Sequence, residues 1–258
     1  VTYRVARLVE TGIDPYSILL VTFTNKAARE MLRRVEGLLD IPTRTLWGGT
    51  FHHIGNLVLR KHAKLLGYKD NYTILDREDA KDLISSVVTE MNIDTTSKRF
   101  PLPDVIEAIL NLSANTGRKI EDIIIERYQY FWDQAEAILA IAPKYGEKKR
   151  KLNAMDFNDL LLNWKSLLLE HPKVAKEYSE RFQRILVDEY QDTNKLQAEI
   201  VDILAQGHRN VMVVGDDSQS IYSFRGANFE NIIEFPRRYP DAKIFRLSLI
   251  HISEPTRQ

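Results

Sequence analysis

The 258-residue sequence has no cysteine, which excludes disulfides and thiolate metal sites and suits a cytoplasmic protein. It has no apolar run approaching the ~20 residues of a membrane span, and its first residues do not read as a secretory signal, so no membrane partner is expected. It has no surplus of either charge: 36 basic residues stand against 36 acidic ones. Bulk attraction therefore cannot coat a nucleic acid, and any strand the protein holds must lie in a local groove. Internal repeats and low-complexity tracts are also missing. The remaining composition, 44% hydrophobic, fits one large or two modest domains that bury roughly 75% of the extended surface.

The most informative stretch runs from Arg184 to Asn194. Its apolar run Ile185 to Val187 reads as a buried strand that stops at Asp188-Glu189. In an open parallel sheet the carboxyl ends of the strands are where ligands bind, so two charges there point to chemistry. The pattern returns at Val211 to Val214, which ends in Gly215-Asp216-Asp217-Ser218-Gln219. Two strand ends carrying carboxylates, an amide and hydroxyls suit a magnesium-bound triphosphate, because Mg²⁺ takes one or two carboxylates with waters and phosphate oxygens.

Around these strands the periodicity predicts a β/α alternation. Val5, Leu8 and Val9 share a helix face closed by Gly12, and Ile18 to Phe23 form a strand. Thr24 or Asn25 then caps a helix whose apolar positions Ala28, Met31, Leu32, Val35, Leu38 and Leu39 follow the 3.6-residue period. Residues 76 to 152 read as helices alone, over Leu83 to Met91, Val105 to Leu112 and Ile123 to Ile141. Alternation resumes with helices at 156–169 and 172–183, the Ile185 strand, a helix from Asn194 to Ala205 closed by Gly207, the Val211 strand, and a strand at Lys243 to Leu247.

At this point the residues resemble a known family. Asp188-Glu189-Tyr190-Gln191-Asp192-Thr193-Asn194 is similar to the Walker B motif of the UvrD/PcrA/Rep-like superfamily 1 helicases, and the stretch from Val214 to Ala227 is similar to the motif after it. Val21 to Met31, Gly49-Thr50-Phe51-His52 and Asn153 to Leu161 match three further motifs in the family's order. The resemblance implies a RecA-like parallel sheet flanked by helices, a P-loop NTPase fold. On that view residues 1–75 and 153–247 form the ATP-binding motor domain and 76–152 an all-helical inserted subdomain. It further implies an ATP-dependent 3′–5′ helicase or translocase on single-stranded DNA and at single-strand/duplex junctions.

Site roles carry over residue by residue. Asp188 would hold Mg²⁺ through water, and Glu189 would orient and deprotonate the attacking water. Gln219 would sense the γ-phosphate of ATP. A single strand is held by stacking on rings and by hydrogen bonds to phosphates, which makes Phe23, Thr24, Asn25, Thr50, His52, Tyr222, Phe224 and Arg225 the DNA-binding candidates, with Phe51 in the core. Four positions depart from the family: His53 replaces a small hydroxyl residue, Ser218 an acidic one, and Ser223-Phe224 an Arg-Trp pair. Phe224 offers a smaller stacking face than indole.

The sequence has no G-x-x-x-x-G-K-[ST] phosphate loop, so it is read as a piece that starts just after that loop and is inactive alone. Its last residues, 248–258, match nothing in the family and are read as a non-native tail. A strand is then expected to be missing from the sheet, leaving an open edge and a marginal, aggregation-prone chain. Two other functions stay open: a two-metal nuclease using Asp188, Glu189, Asp216 and Asp217, and a non-catalytic DNA-binding module. His52 and His53 are adjacent, which does not suit metal ligation. Lys148 to Lys151 read as a solvated helix end or a contact to duplex phosphates. Trp132 and Trp164 are assigned to the core.

Overall fold

A computed structural model of the chain describes residues 1–39, 45–95, 100–216 and 230–246. The chain opens with α1 (Thr2–Glu10), whose end is closed by Gly12 at φ +89° as Ile13 N–H donates to the Leu8 carbonyl. Strand β1 (Ile18–Thr22) leads into α2 (Asn25–Leu39), and Thr24 is its cap, accepting from the Ala27 N–H at 3.1 Å. Next come β2 (Trp47–Thr50), α3 (Phe51–His62) and the short β3 (Thr73–Ile74). Four helices follow: α4 (Arg77–Glu90), α5 (Pro103–Thr116), α6 (Ile120–Arg127) and α7 (Ala135–Lys151). The rest is β4 (Ala154–Met155), α8 (Phe157–Glu170), α9 (Pro172–Arg181), β5 (Arg184–Val187), α10 (Lys195–Ala205), β6 (Val211–Val213) and α11 (Glu230–Arg238).

The main sheet is four-stranded and parallel, in the order β2-β1-β5-β6. Its central strands alternate with period two between two cores. Leu19, Val21, Ile185 and Val187 face a large cluster built on α3, α8, α9 and α10, while Ile18, Leu20 and Leu186 face α1 and α2. Every β1 residue is buried, as a strand covered on both faces requires. Strand β6 is the edge of the described sheet, and its three apolar residues are only half-buried.

The helical stretch leaves and rejoins the sheet region at one place. Thr73 lies in parallel register with Ala154 and Ile74 with Met155, so β3 and β4 stand side by side with α4 to α7 between them in sequence. Those helices have their own apolar clusters, one around Ile84, Ile106 and Ile141, the other around Ile109, Ile123 and Ile138.

Five expectations need correction. The helix expected over Ile123 to Ile141 is two helices joined by a 3₁₀ turn, Gln129–Gln134. Trp132 sits on that turn, whose three-residue repeat takes it off the buried stripe, and it is 50% exposed rather than core. Trp164 is fully buried, as expected. The turn after α10 reverses not at Gly207 but at Arg209, which adopts φ +54° and donates its N–H to the Ala205 carbonyl. Residues 243–246 form no strand; Ile244 and Phe245 are exposed because the described sheet offers them no ladder partner. Finally, Lys148 to Lys151 are not one solvated end. Lys148 bonds Glu90, and Lys149 is buried between Asp156 and Asp159, 2.6 Å from an oxygen of each.

Candidate functional site

The parallel register sets Thr22 beside Thr50, Val21 beside Val187, and Val187 beside Val213. The four strands therefore end level, and the residues that follow each of them meet on one carboxyl rim. Asp188 follows β5 directly and is fixed there by its N–H, which donates to the Val21 carbonyl at 2.9 Å. Glu189 takes a left-handed conformation, φ +53°, which for a non-glycine residue stores strain of about 1 kcal/mol. The next N–H, of Tyr190, donates to the Val214 carbonyl at 2.9 Å, so this strained turn is tied to both neighbouring strands.

The turn is electrostatically unfinished. Burial, and then the charge of Glu189, push the Asp188 carboxyl above the usual carboxylate range, and the same two causes in the same order act on Asp192. Asp192 Oδ1 and Thr22 Oγ1 are buried without a hydrogen-bond partner. Among the described residues neither Asp188 nor Glu189 forms an ion pair. A half-buried pair of carboxylates without an ion-pair partner among the described residues fits a divalent cation, as a hard oxygen-donor site does.

The aromatic and amide candidates fall into three groups. Phe23 is half-buried, with Thr24 and Asn25 exposed where β1 passes into α2. Thr50 is buried and caps α3, accepting from the His53 N–H at 3.2 Å; Phe51 is core at 2% exposure. His52 lies edge-on to the ring of Phe157, centroids 5.9 Å apart, and burial holds its imidazole down at about 4, so it is neutral at physiological pH. Gln219, Tyr222, Phe224 and Arg225, with Asp217, lie outside the described residues. Both flanks of their segment are anchored to the turn after β5: Asp216 N–H donates to Gln191 Oε1 at 3.0 Å, and Asn231 Nδ2 donates to the Thr193 carbonyl at 2.9 Å.

Sequence reasoning passed over three features. Phe157, the first residue of α8, presents a ring that is 54% exposed beside His52; its signal was its place within the Asn153 to Leu161 motif, to which no role was given. Gln191 is 1% exposed and bonded on both sides; its signal was its place within the Asp188 to Asn194 motif, which does not say what its amide faces. The third is an amide ladder. Asn194, which caps α10 through its oxygen, donates from Nδ2 to Asn115 at 2.8 Å; Asn115 donates to Asn158 at 3.1 Å, Asn158 to Asn111, and Asn111 to Glu107 at 3.0 Å, where Arg77 closes the series at 3.2 Å. It links the turn after β5 to α5, α8 and α4.

Among the described residues no group of three or more His, Cys, Asp or Glu side chains is gathered to hold a metal ion. No described helix is long and apolar enough to cross a membrane.

The family model for the UvrD/REP helicase N-terminal domain matches residues 1–240. A protein from Staphylococcus epidermidis named ATP-dependent DNA helicase PcrA is 40% identical over 243 residues, covering 94% of this chain and 32% of the relative. One of the same name from Staphylococcus aureus is 39% identical over 256 residues, covering 99% of the chain and 34% of the relative. The chain thus spans about a third of the length of these curated relatives.

Proposed function

Since the chain belongs to the UvrD/REP helicase N-terminal domain family, we propose that it forms part of the ATP-hydrolysing motor of a DNA helicase that moves 3′–5′ along single-stranded DNA and works at single-strand/duplex junctions. The observation that carries this reading is the common rim: Asp188-Glu189 stands level with the Phe23 and Thr50 turns through the Val21–Val187 and Thr22–Thr50 register.

On this reading residues 1–75 and 153–247 act as a RecA-like motor domain and 76–152 as an inserted helical subdomain. Asp188 would hold Mg²⁺, which when bound would supply the charge that neutralises the phosphates of ATP. Glu189 orients the attacking water and takes its proton, while Gln219 bonds the γ-phosphate. Phe23, Phe224 and Tyr222 stack bases, Thr24, Asn25, Thr50 and Arg225 bond phosphates or sugars, and neutral His52 serves as a hydrogen-bonding partner rather than a charge. Phe157 extends the stacking surface, its exposed ring being braced by His52. Because the 258 residues contain no phosphate-cradling glycine loop, turnover is assigned to a longer polypeptide that carries one.

In that longer polypeptide Glu189→Gln is expected to lower ATP turnover by about 10²-fold or more, while a fluorescent nucleotide still binds within a few-fold of the unsubstituted affinity. Turnover that survives the substitution removes the reading. Cleavage of labelled DNA dependent on a divalent cation, without ATP, would transfer the carboxylates to a nuclease.

A further inference from the structure

The Glu189 carboxylate is not left to set its own direction. Gln191, two residues on, donates from Nε2 to Glu189 Oε2 at 2.7 Å, and its Oε1 accepts the N–H of Asp216 at 3.0 Å. Both ends of one carboxamide are thereby committed, the donor to the turn after β5 and the acceptor to the loop after β6. The side chain is 1% exposed, so solvent does not compete for either bond. Its seat is tight. A β-carbon on Gly215 would stand 2.5 Å from Gln191 Oε1 and 2.8 Å from Ile232 Cδ1, so only glycine lets the loop after β6 approach the amide this closely.

We propose that Gln191 is the positioning residue for Glu189, and that it makes the direction of that carboxylate depend on the backbone of the loop after β6. This rests on the reading of Glu189 as the base for the attacking water. The chemistry of the amide supports it. A carboxylate adjoining a strained left-handed turn has several rotamers of similar energy, and a buried N–H donor selects one of them. Because the acceptor half of the same group is bonded to Asp216, any displacement of that loop rotates the amide and carries its donor off Glu189. The two strand ends thus share a single rigid linker, and a backbone displacement after β6 reaches the Glu189 carboxylate through that one side chain.

The test uses the longer polypeptide that carries the glycine loop, with steady-state ATP turnover in the presence of single-stranded DNA. Gln191→Glu keeps the size and the acceptor for Asp216 N–H but turns an oxygen toward Glu189 in place of the donor. It is expected to lower kcat about tenfold or more while KM for ATP stays within about threefold, with Asp216 N–H still protected from hydrogen exchange. Gly215→Ala leaves Gln191 unaltered in sequence but pushes it aside, and is expected to give the same loss in kcat with Asp216 N–H now exchanging faster. A role confined to holding the loop predicts the opposite for Gln191→Glu, near-normal kcat, and that result overturns the proposal. If the unsubstituted polypeptide hydrolyses no ATP, the reading of the rim fails and the assignment of Gln191 falls with it. If it does and Gln191→Glu matches its rate, Gln191 alone is misassigned.

Discussion

Replacing Lys149 by methionine tests how the helical stretch is fastened to the sheet region. Lys149 lies in the last turn of α7, and its ammonium is 2.6 Å from Asp156 and 2.6 Å from Asp159, the two residues that cap α8 immediately around Phe157. The three side chains are 7%, 13% and 15% exposed, and Tyr145 adds a hydrogen bond to Asp156 at 3.0 Å. Burial opposes the lysine charge, but the two carboxylates more than offset it and hold the ammonium above its ordinary value. Its stabilisation is thus complete below the ordinary lysine range and is lost only as pH rises beyond it, so Lys149 itself does not titrate between pH 5 and 8.

Asp159 behaves differently, since burial and then the Asp156 charge push its carboxyl up. A carboxyl raised by folding favours the native state most at acid pH and loses that contribution as pH climbs through the raised value. Without Lys149 the upward push grows, because the lysine is what works against it. Lys149→Met should therefore cost about 3–5 kcal/mol at pH 8, the usual penalty for leaving one side of a buried ion pair, and less at pH 5, which lies closer to the raised Asp159 value. Amides at both positions retain the capping acceptors, so Lys149→Met combined with Asp156→Asn and Asp159→Asn should return to within about 1.5 kcal/mol of the unsubstituted protein. Urea unfolding at the two pH values, followed by far-ultraviolet dichroism, measures each quantity. A cost under about 1 kcal/mol at pH 8, or one equal at both pH values, refutes the reasoning.

Three other outcomes are expected. Glu189→Gly should be more stable than Glu189→Ala by about 1 kcal/mol, reversing the usual order, because the left-handed backbone at this position penalises any β-carbon; denaturant titration of the two variants decides it. Phe157→Ala should weaken binding of a fluorescent oligothymidylate by about 1–3 kcal/mol with little loss of stability, whereas Phe51→Ala should cost about 3–5 kcal/mol of stability, since one ring is exposed at the rim and the other is core; equal effects on both readouts would erase the distinction. His52, held down at about 4, contributes stability that is present above its ordinary value of 6.5 and lost as pH falls through 4. The penalty of His52→Gln should accordingly shrink by about 2–3 kcal/mol between pH 7 and pH 4.5 in thermal or urea melts.

The sequence alone determined which residues belong to a strand end. An apolar β-branched run stopping at Asp188-Glu189 has only one way to be buried on both faces, and Thr24, Asp76, Asp156 and Asn194 announced their helices by local capping chemistry that needs no distant partner. Tertiary structure decided everything that depends on who lies across the gap. That Lys149 is buried while its neighbour Lys148 reaches Glu90, that Gln191 faces Asp216 across 25 positions of sequence, and that Asn115 meets both Asn158 and Asn194 are consequences of packing. So are the misreadings. Trp132 and residues 243–246 carry the apolar signature of buried elements, but burial requires a facing surface, and for these residues the described fold supplies none.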